Sequence, residues 1–291
     1  MPTLPRRSEV DTWLGGHLGL TLDNFPDAKG ERLLDHLADK DREVWDDEVE
    51  NLWQILSIPE THFARHPECF EALRDALHRI ARARPAGTVK LWSAGCASGE
   101  EAYQLAAEGL DIVGDRVQVT GTDFSEDAVA RATKGVYNKW SMRGAAAHEL
   151  DWLTTDDRGD VTVDAKLRPH VQFEVGNLTD PACAPKRVDV AFCRNVLIYF
   201  STEGGERVLR NIIDSLRPGG VLILAPTDPT YAYLDTLETV ELSASKPVRV
   251  YQAPGSALPE ATPTARRREP EPDSPIGEDF ASAIRKLLEK S

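Results

Sequence analysis

Basic charge is what this chain has too little of. Its 34 Lys and Arg stand against 48 Asp and Glu, a net charge of -14 at neutral pH over 291 residues. Nucleic acid and anionic membrane surfaces demand a concentrated basic face, so both are excluded as main partners. Long apolar runs are missing as well, which excludes membrane insertion through a helix. No secretory leader is visible, and we expect a cytoplasmic protein. Cysteine is sparse: Cys69, Cys96, Cys183 and Cys193 lie too far apart for paired metal-ligand spacing, so reduced thiols and no metal site are expected. No internal repeat is present. The hydrophobic fraction of 41% is nevertheless ample for a core.

What is there centres on residues 89–106. An apolar run, Val89-Lys90-Leu91-Trp92, stops at the small residues Ser93-Ala94-Gly95-Cys96-Ala97-Ser98-Gly99, and a periodic helix carrying Tyr103, Leu105 and Ala106 follows. Strand, tight loop and helix in that order let backbone approach a ligand closely, with unpaired N–H groups at the helix start. About twenty residues on, a second strand over 118–122 ends in Asp123, placed to accept hydrogen bonds from a ribose. The pair describes a nucleoside pocket.

Charge narrows the nucleoside. In a dinucleotide site the first helix start faces a pyrophosphate, and Glu100 and Glu101 there would meet an anion. They suit a cation better, and S-adenosylmethionine carries a sulfonium and an ammonium on an adenosine scaffold. The alternative is that both glutamates only complement the helix dipole.

In chain order, residues 9–56 are helical and amphipathic, with Leu33, Leu34, Leu37, Val44, Trp45, Val49, Leu52 and Trp53 on an apolar face and an acid run at 45–50 that is a solvated face. A connector, 58–65, leads to a helix starting near Pro67 whose Phe70, Leu73, Leu77 and Ile80 share a side. Thr61 and Arg65, taken alone, read as surface residues. Ser125 caps a helix through Ala132, 171–175 is a strand, and 189–193 is a strand buried on both faces. A helix over 203–216 stops at Arg217-Pro218-Gly219-Gly220, a strand occupies 221–225, and segments 237–242 and 248–252 close the sheet as a hairpin. Alternating strands and helices imply a largely parallel sheet covered on both faces.

Several runs resemble, in order and spacing, the chemotaxis-receptor methyltransferase (CheR) family over roughly residues 20–252. They are SAGCASGEEAYQLA from Ser93, GTDFSEDAVARATKGVY from Gly121, Asn177-Leu178, FCRNVLIYF from Phe192 and SLRPGG from Ser215. The connector's THFAR, from Thr61, looks like that family's Thr-x-Phe-x-Arg element. YNKWSMRG from Tyr137 and the proline-rich tail look more like myxobacterial members whose linkers lead into tetratricopeptide repeats. The resemblance implies an α/β class I, Rossmann-like methyltransferase sheet with an N-terminal helical domain and a small inserted β-subdomain. By that division residues 1–66 form the helical domain and connector, and 67–252 the methyltransferase domain with its insertion at about 138–168. Residues 253–275 are a proline-rich linker and 276–291 a short amphipathic helix carrying Phe280, Ile284, Leu287 and Leu288.

The resemblance also implies S-adenosylmethionine-dependent methylation of glutamates on a chemoreceptor cytoplasmic domain. Glu100 would bind the methionine ammonium, Asp123 the ribose, and Asn177 with Leu178 the adenine edge. Gly95, Arg194 and Asn195 would line the same cleft, Thr61 and Arg65 would reach in from the connector, and Arg65 and Tyr199 would serve transfer. Departures are Ala64, where a second aromatic commonly precedes the arginine, Pro59, where an Asn often stands, and an acidic rather than basic helical domain. They keep two alternatives open: a cofactor-binding scaffold or sensor, and an enzyme that methylates a small-molecule acid. The C-terminal helix is expected either to meet a protein partner or to belong to a further, repeat-type domain, with the tail dispensable for cofactor binding.

Overall fold

A computed structural model describes residues 5–255 apart from 39, 42–43, 46–47 and 57–59. The expectations placed on Pro59, on Asp46 and Asp47 of the acid run, and on the linker and helix beyond 255 lie outside those residues. Three helices come first, α1 (Arg7–His17), α2 (Asp27–His36) and α3 (Val49–Leu56), followed by α4 (Pro67–Ala83) with Pro67 in its first turn. Then β1 (Val89–Ala94), α5 (Glu100–Val113), β2 (Val117–Asp123) and α6 (Glu126–Lys134) follow. Ser125 caps α6, its hydroxyl accepting from the Ala128 N–H.

Strands β3 (Val136–Tyr137), β4 (Leu153–Thr155) and β5 (Val161–Val163) make a small antiparallel sheet in the order β3-β5-β4. The chain then returns through β6 (Val171–Val175) and β7 (Val188–Cys193) to α7 (Thr202–Ser215), β8 (Leu216–Leu224), β9 (Glu238–Thr239) and β10 (Arg249–Gln252). The main sheet has seven strands in the order β6-β2-β1-β7-β8-β10-β9. The first five are parallel, β10 runs antiparallel to β8, and β9 at the edge pairs antiparallel with β10.

Burial on both faces explains the apolar runs. Along β1, Val89 and Leu91 join the core that packs against α4 and α5, while Trp92 and Ala94 join the core against α7. Strand β7 divides likewise, Val190 and Phe192 one way, Ala191 and Cys193 the other. At the far edge β6 is half solvent-facing, with Val175 50% exposed.

Two boundaries and one burial differ from the sequence reading. The run Arg217-Pro218-Gly219-Gly220, read as a stop, lies inside β8: pairing with β7 jumps from Val188↔Leu216 to Val190↔Val221. The extra residues bulge out, Gly219 taking φ +76°, and a bulge tolerates a proline that has no N–H to donate. The inserted sheet begins at Val136, ahead of the expected 138, because β3 pairs with β5 across Val136↔Thr162 and Tyr137↔Val161. Val44, expected on the apolar face, is exposed.

The helices set apart as a domain do not keep a core to themselves. Trp13, Leu14, Leu22, Leu33 and Leu52 pack in one continuous core with Trp92 of β1 and Val208, Leu209 and Ile212 of α7. Their apolar stripes cover a sheet face that α7 alone leaves open. The join is close: Leu20 bridges Phe200, Ser201 donates its N–H to the Gly19 carbonyl, and a Cβ on Gly204 would fall 2.0 Å from that oxygen. Only glycine permits this approach, which brings Leu18, Leu20 and Phe25 over the carboxyl ends of β1, β2 and β7.

Candidate active site

The floor of the cleft is the turn after β1. Gly95 takes φ +79°, and a Cβ there would stand 2.4 Å from the Val196 side chain, so backbone alone separates the first turn from the one after β7. Ala97 is left-handed (φ 46°) and is held by its N–H, which donates to Asp123 Oδ2 at 2.8 Å. Asp123 Oδ1 accepts from Ser125 N–H at 3.0 Å. The Phe124 N–H acts on this carboxylate too, and with about four lone-pair sites it keeps capacity for a further donor. Burial pushes the Asp123 carboxyl above its ordinary value, opposed by those backbone N–H groups.

The two glutamates at the start of α5 part company. Glu101 lines the cleft, its Oε1 accepting from Ser93 Oγ at 2.7 Å and its Oε2 from Arg194 Nη1 at 2.8 Å. Glu100 is 1% exposed and accepts from Ser98 Oγ and Ser141 Oγ, both at 2.8 Å. Burial raises its pKa. Expected at the ammonium, Glu100 instead ties the turn to the start of the insertion. The reason is helical: consecutive side chains point about 100° apart, so one of two adjacent glutamates faces the cleft.

The opposite wall is the turn after β7. Arg194 is buried; besides Glu101 it donates through Nη2 to the Arg65 carbonyl, and its guanidinium lies 5.2 Å from the Phe70 ring. Asn195 is left-handed (φ 58°), and its Nδ2 donates to Thr227 Oγ1 at 2.6 Å while its Oδ1 is buried without a protein partner. Asp228 accepts the Asn195 and Ala225 N–H groups at 2.9 and 3.0 Å. Tyr199 stacks on Phe25 with centroids 5.2 Å apart, and burial raises its phenol pKa, so the hydroxyl keeps its proton at neutral pH.

The connector closes the mouth. Glu60, Thr61, His62 and Arg65 all line the cleft, and Arg65 Nη1 donates to the Glu60 carbonyl at 2.6 Å. Burial and the neighbouring Arg194 lower the Arg65 pKa, yet a guanidinium stays charged. Burial lowers the His62 pKa, so this ring is neutral at pH 7. Asn177 Oδ1 is occupied by the Thr179 N–H and hydroxyl at 2.9 and 2.8 Å, which leaves its amide N–H2 as the group to offer.

A model of the CheR methyltransferase SAM binding domain matches residues 59–252. The chain belongs to the CheR methyltransferase family. It is similar to Chemotaxis protein methyltransferase 1 of Pseudomonas aeruginosa, 31% identical over 68% of this chain and 75% of that protein. The Chemotaxis protein methyltransferase of Vibrio parahaemolyticus is 32% identical over 64% of this chain and 70% of its own length. A probable biofilm formation methyltransferase, WspC, of Pseudomonas putida is 35% identical over 62% of this chain and 44% of that protein. The chain spans about half the length of the WspC relatives it matches, 44% and 54%.

The cleft suits the family's cofactor on its own evidence. Glycine backbone at Gly95 makes room that a side chain would fill, two carboxylates at Glu101 and Asp123 face the space, and the buried Asn195 Oδ1 awaits a donor. Of the residues singled out from sequence, Thr61, Arg65, Gly95, Asp123, Asn177, Leu178, Arg194, Asn195 and Tyr199 all line this one cleft and Glu100 does not. Sequence reasoning passed over Glu60 and His62, which flank Thr61 in the connector, and Leu18, Leu20 and Phe25, whose part depends on a chain reversal no local pattern shows. It missed Asp228 too, although Pro226-Thr227-Asp228 repeats the Thr-Asp of Gly121-Thr122-Asp123 after a strand.

Proposed function

We propose that the chain transfers a methyl group from S-adenosylmethionine to glutamate side chains of a chemoreceptor cytoplasmic domain, and that it works in the cytoplasm. The observation that carries this reading is that one cleft presents both signs of charge: the carboxylates of Glu101 and Asp123 and the guanidinium of Arg65 all line it, with the Tyr199 phenol among them. A cationic donor and an anionic acceptor would each meet a complement there.

In this reading Glu101 takes the methionine ammonium, Asp123 the ribose, and Asn177 with Leu178 the adenine edge. Thr61, Gly95, Arg194 and Asn195 shape the remaining wall. The bound cofactor supplies an electrophilic methyl on a sulfonium. The chain's part is placement. A glutamate acceptor is ionised at neutral pH and needs no general base, which fits a mouth whose histidine, His62, is held through Nδ1 on the Phe63 carbonyl at 2.9 Å. Arg65 orients the carboxylate, Tyr199 donates a hydrogen bond toward the reacting centre, and Phe25, Leu20 and Phe70 keep water out. Arg65 helps by aiming the acceptor, since a full ion pair would blunt the nucleophile.

Incubation with methyl-tritiated cofactor and purified chemoreceptor cytoplasmic domains tests this. Base-labile label on the receptor is the expected result. Label in a small soluble ester, or cofactor binding with no transfer to any receptor, would overturn it.

A further inference from the structure

One surface feature is left unused by the cleft. Among the described residues four large apolar side chains are exposed, and Trp140 is the most exposed at 62%. A single exposed aromatic is common; the setting of this one is not. It sits in a one-turn 3-10 helix, Lys139–Met142, whose position is locked from below. Asn138 Oδ1 accepts the Trp140 N–H at 2.8 Å, the Ser141 carbonyl accepts the Phe63 N–H at 2.9 Å, Ser141 Oγ donates to buried Glu100, and Met142 is buried. The indole is therefore presented on a fixed platform rather than a loose loop.

That platform adjoins the mouth and carries positive charge. The Arg143 guanidinium lies 4.8 Å from the Trp140 ring, and its Nη1 donates to the carbonyl of Thr61, a cleft residue, at 2.8 Å. Gly144 lies against His62, close enough that a Cβ would stand 2.9 Å from its Nδ1. Lys139 and Arg143 are exposed, and Arg143 and the cleft residue Arg65 both act electrostatically on His62, with Glu60 as an acid of the same cleft lining. On a chain of net charge -14, an acidic partner is repelled by most of the surface and accepted where cations gather. Trp and Arg are also the side chains that most often dominate interface energy.

We propose that Trp140, Lys139 and Arg143 form the docking surface for the acidic peptide segment that carries the acceptor glutamate, the indole packing on its apolar side chains and the cations meeting its acids. This rests on the reading of the cleft given above and names where the acceptor's flanks are held.

The probe is a fluorescein-labelled chemoreceptor peptide spanning a cluster of glutamates, titrated with the full chain, with Trp140→Ala and with Lys139→Glu, and followed by anisotropy. Trp140→Ala should weaken binding by about tenfold or more. Lys139→Glu should weaken it by roughly threefold and flatten its salt dependence. Cofactor affinity by calorimetry should be unchanged in both, which also reports that both fold. Peptide affinity equal to that of the unaltered chain in Trp140→Ala, or no peptide binding by the unaltered chain, overturns the proposal. Methyl transfer measured alongside separates the two readings: transfer without dependence on Trp140 removes the docking surface alone, and Trp140-dependent binding without transfer removes the enzymatic reading alone.

Discussion

The turn after β1 and the turn after β7 are built with the same device. In each, a left-handed residue, Ala97 or Asn195, gives its N–H to an aspartate at or just beyond the end of the neighbouring strand, Asp123 in one case and Asp228 in the other. In each, the threonine before that aspartate accepts a side-chain hydrogen bond, Thr122 from Trp92 Nε1 and Thr227 from Asn195 Nδ2. The difference is depth. Asp123 lines the cleft, whereas Asp228 is 4% exposed, accepts from Asn195 and Ala225 through Oδ2 and does not line it. One carboxylate can both hold its turn and meet a ligand, and the other only holds its turn. Position relative to the cleft, not residue type, separates binding from support.

The largest effect that probes this comparison comes from Arg194, which begins the second turn. Arg194→Leu leaves the Glu101 carboxylate without its partner and the Arg65 carbonyl without its donor. Removing one member of a buried pair costs about 3–5 kcal/mol, read as a lower urea midpoint; an unchanged midpoint would show that the pair does not brace the wall. Next, Asp228→Ala and Asp123→Ala should diverge. The first should lower stability by roughly 1–3 kcal/mol for each amide left unsatisfied. The second should weaken cofactor binding by roughly 1.5–3 kcal/mol with a smaller loss of stability. Equal cofactor loss in both, by calorimetric titration, would show that the two aspartates play the same part.

Smaller again is the effect of Tyr199→Phe, which removes the hydroxyl proposed to donate toward the reacting centre. Turnover should fall by at least about tenfold, or roughly 1.4 kcal/mol, with cofactor affinity little changed; normal turnover would place Tyr199 outside the reaction. Arg65→Ala should behave in the same way.

The smallest effect is in pH. Burial raises the Asp123 pKa in the folded chain above its ordinary 3.8, so the fold holds the proton more tightly than the unfolded chain does. Ionisation of this group therefore costs stability above the ordinary value, and that cost disappears as pH falls through the raised one. For the ligand the sign is opposite: cofactor affinity should drop over the same window as the acceptor is lost. Asp123→Asn, titrated in parallel, should lack this drop.

Much of the sheet was legible because parallel strands buried on both faces must be continuous apolar runs, and β7, fully buried from Val188 to Cys193, is the clearest case. The Ser125 cap and the closing hairpin were legible for local reasons of the same kind. Legibility failed at Arg217-Pro218-Gly219-Gly220, where turn chemistry and a bulge within a strand use the same residues. It failed also at the insertion's edge, since the two residues of β3 become a strand only by pairing with β5.

Local pattern was enough for the strand, turn and helix around Gly95 and for the carboxylate at Asp123, which follow from periodicity, small-residue turns and spacing acting within a few residues along the chain. Thr61, Arg65, Asn177, Leu178, Arg194, Asn195 and Tyr199 came through the family resemblance instead, and Thr61 and Arg65 taken alone read as surface residues. Three-dimensional packing set that Glu101 rather than Glu100 lines the cleft, that Leu20 and Phe25 line it too, and that Asp228 supports the wall without lining it. Each of these depends on how far one element rotates against another. That rotation is set by packing between residues distant in sequence, as where Gly204 seats against Gly19, and a linear pattern carries no record of it.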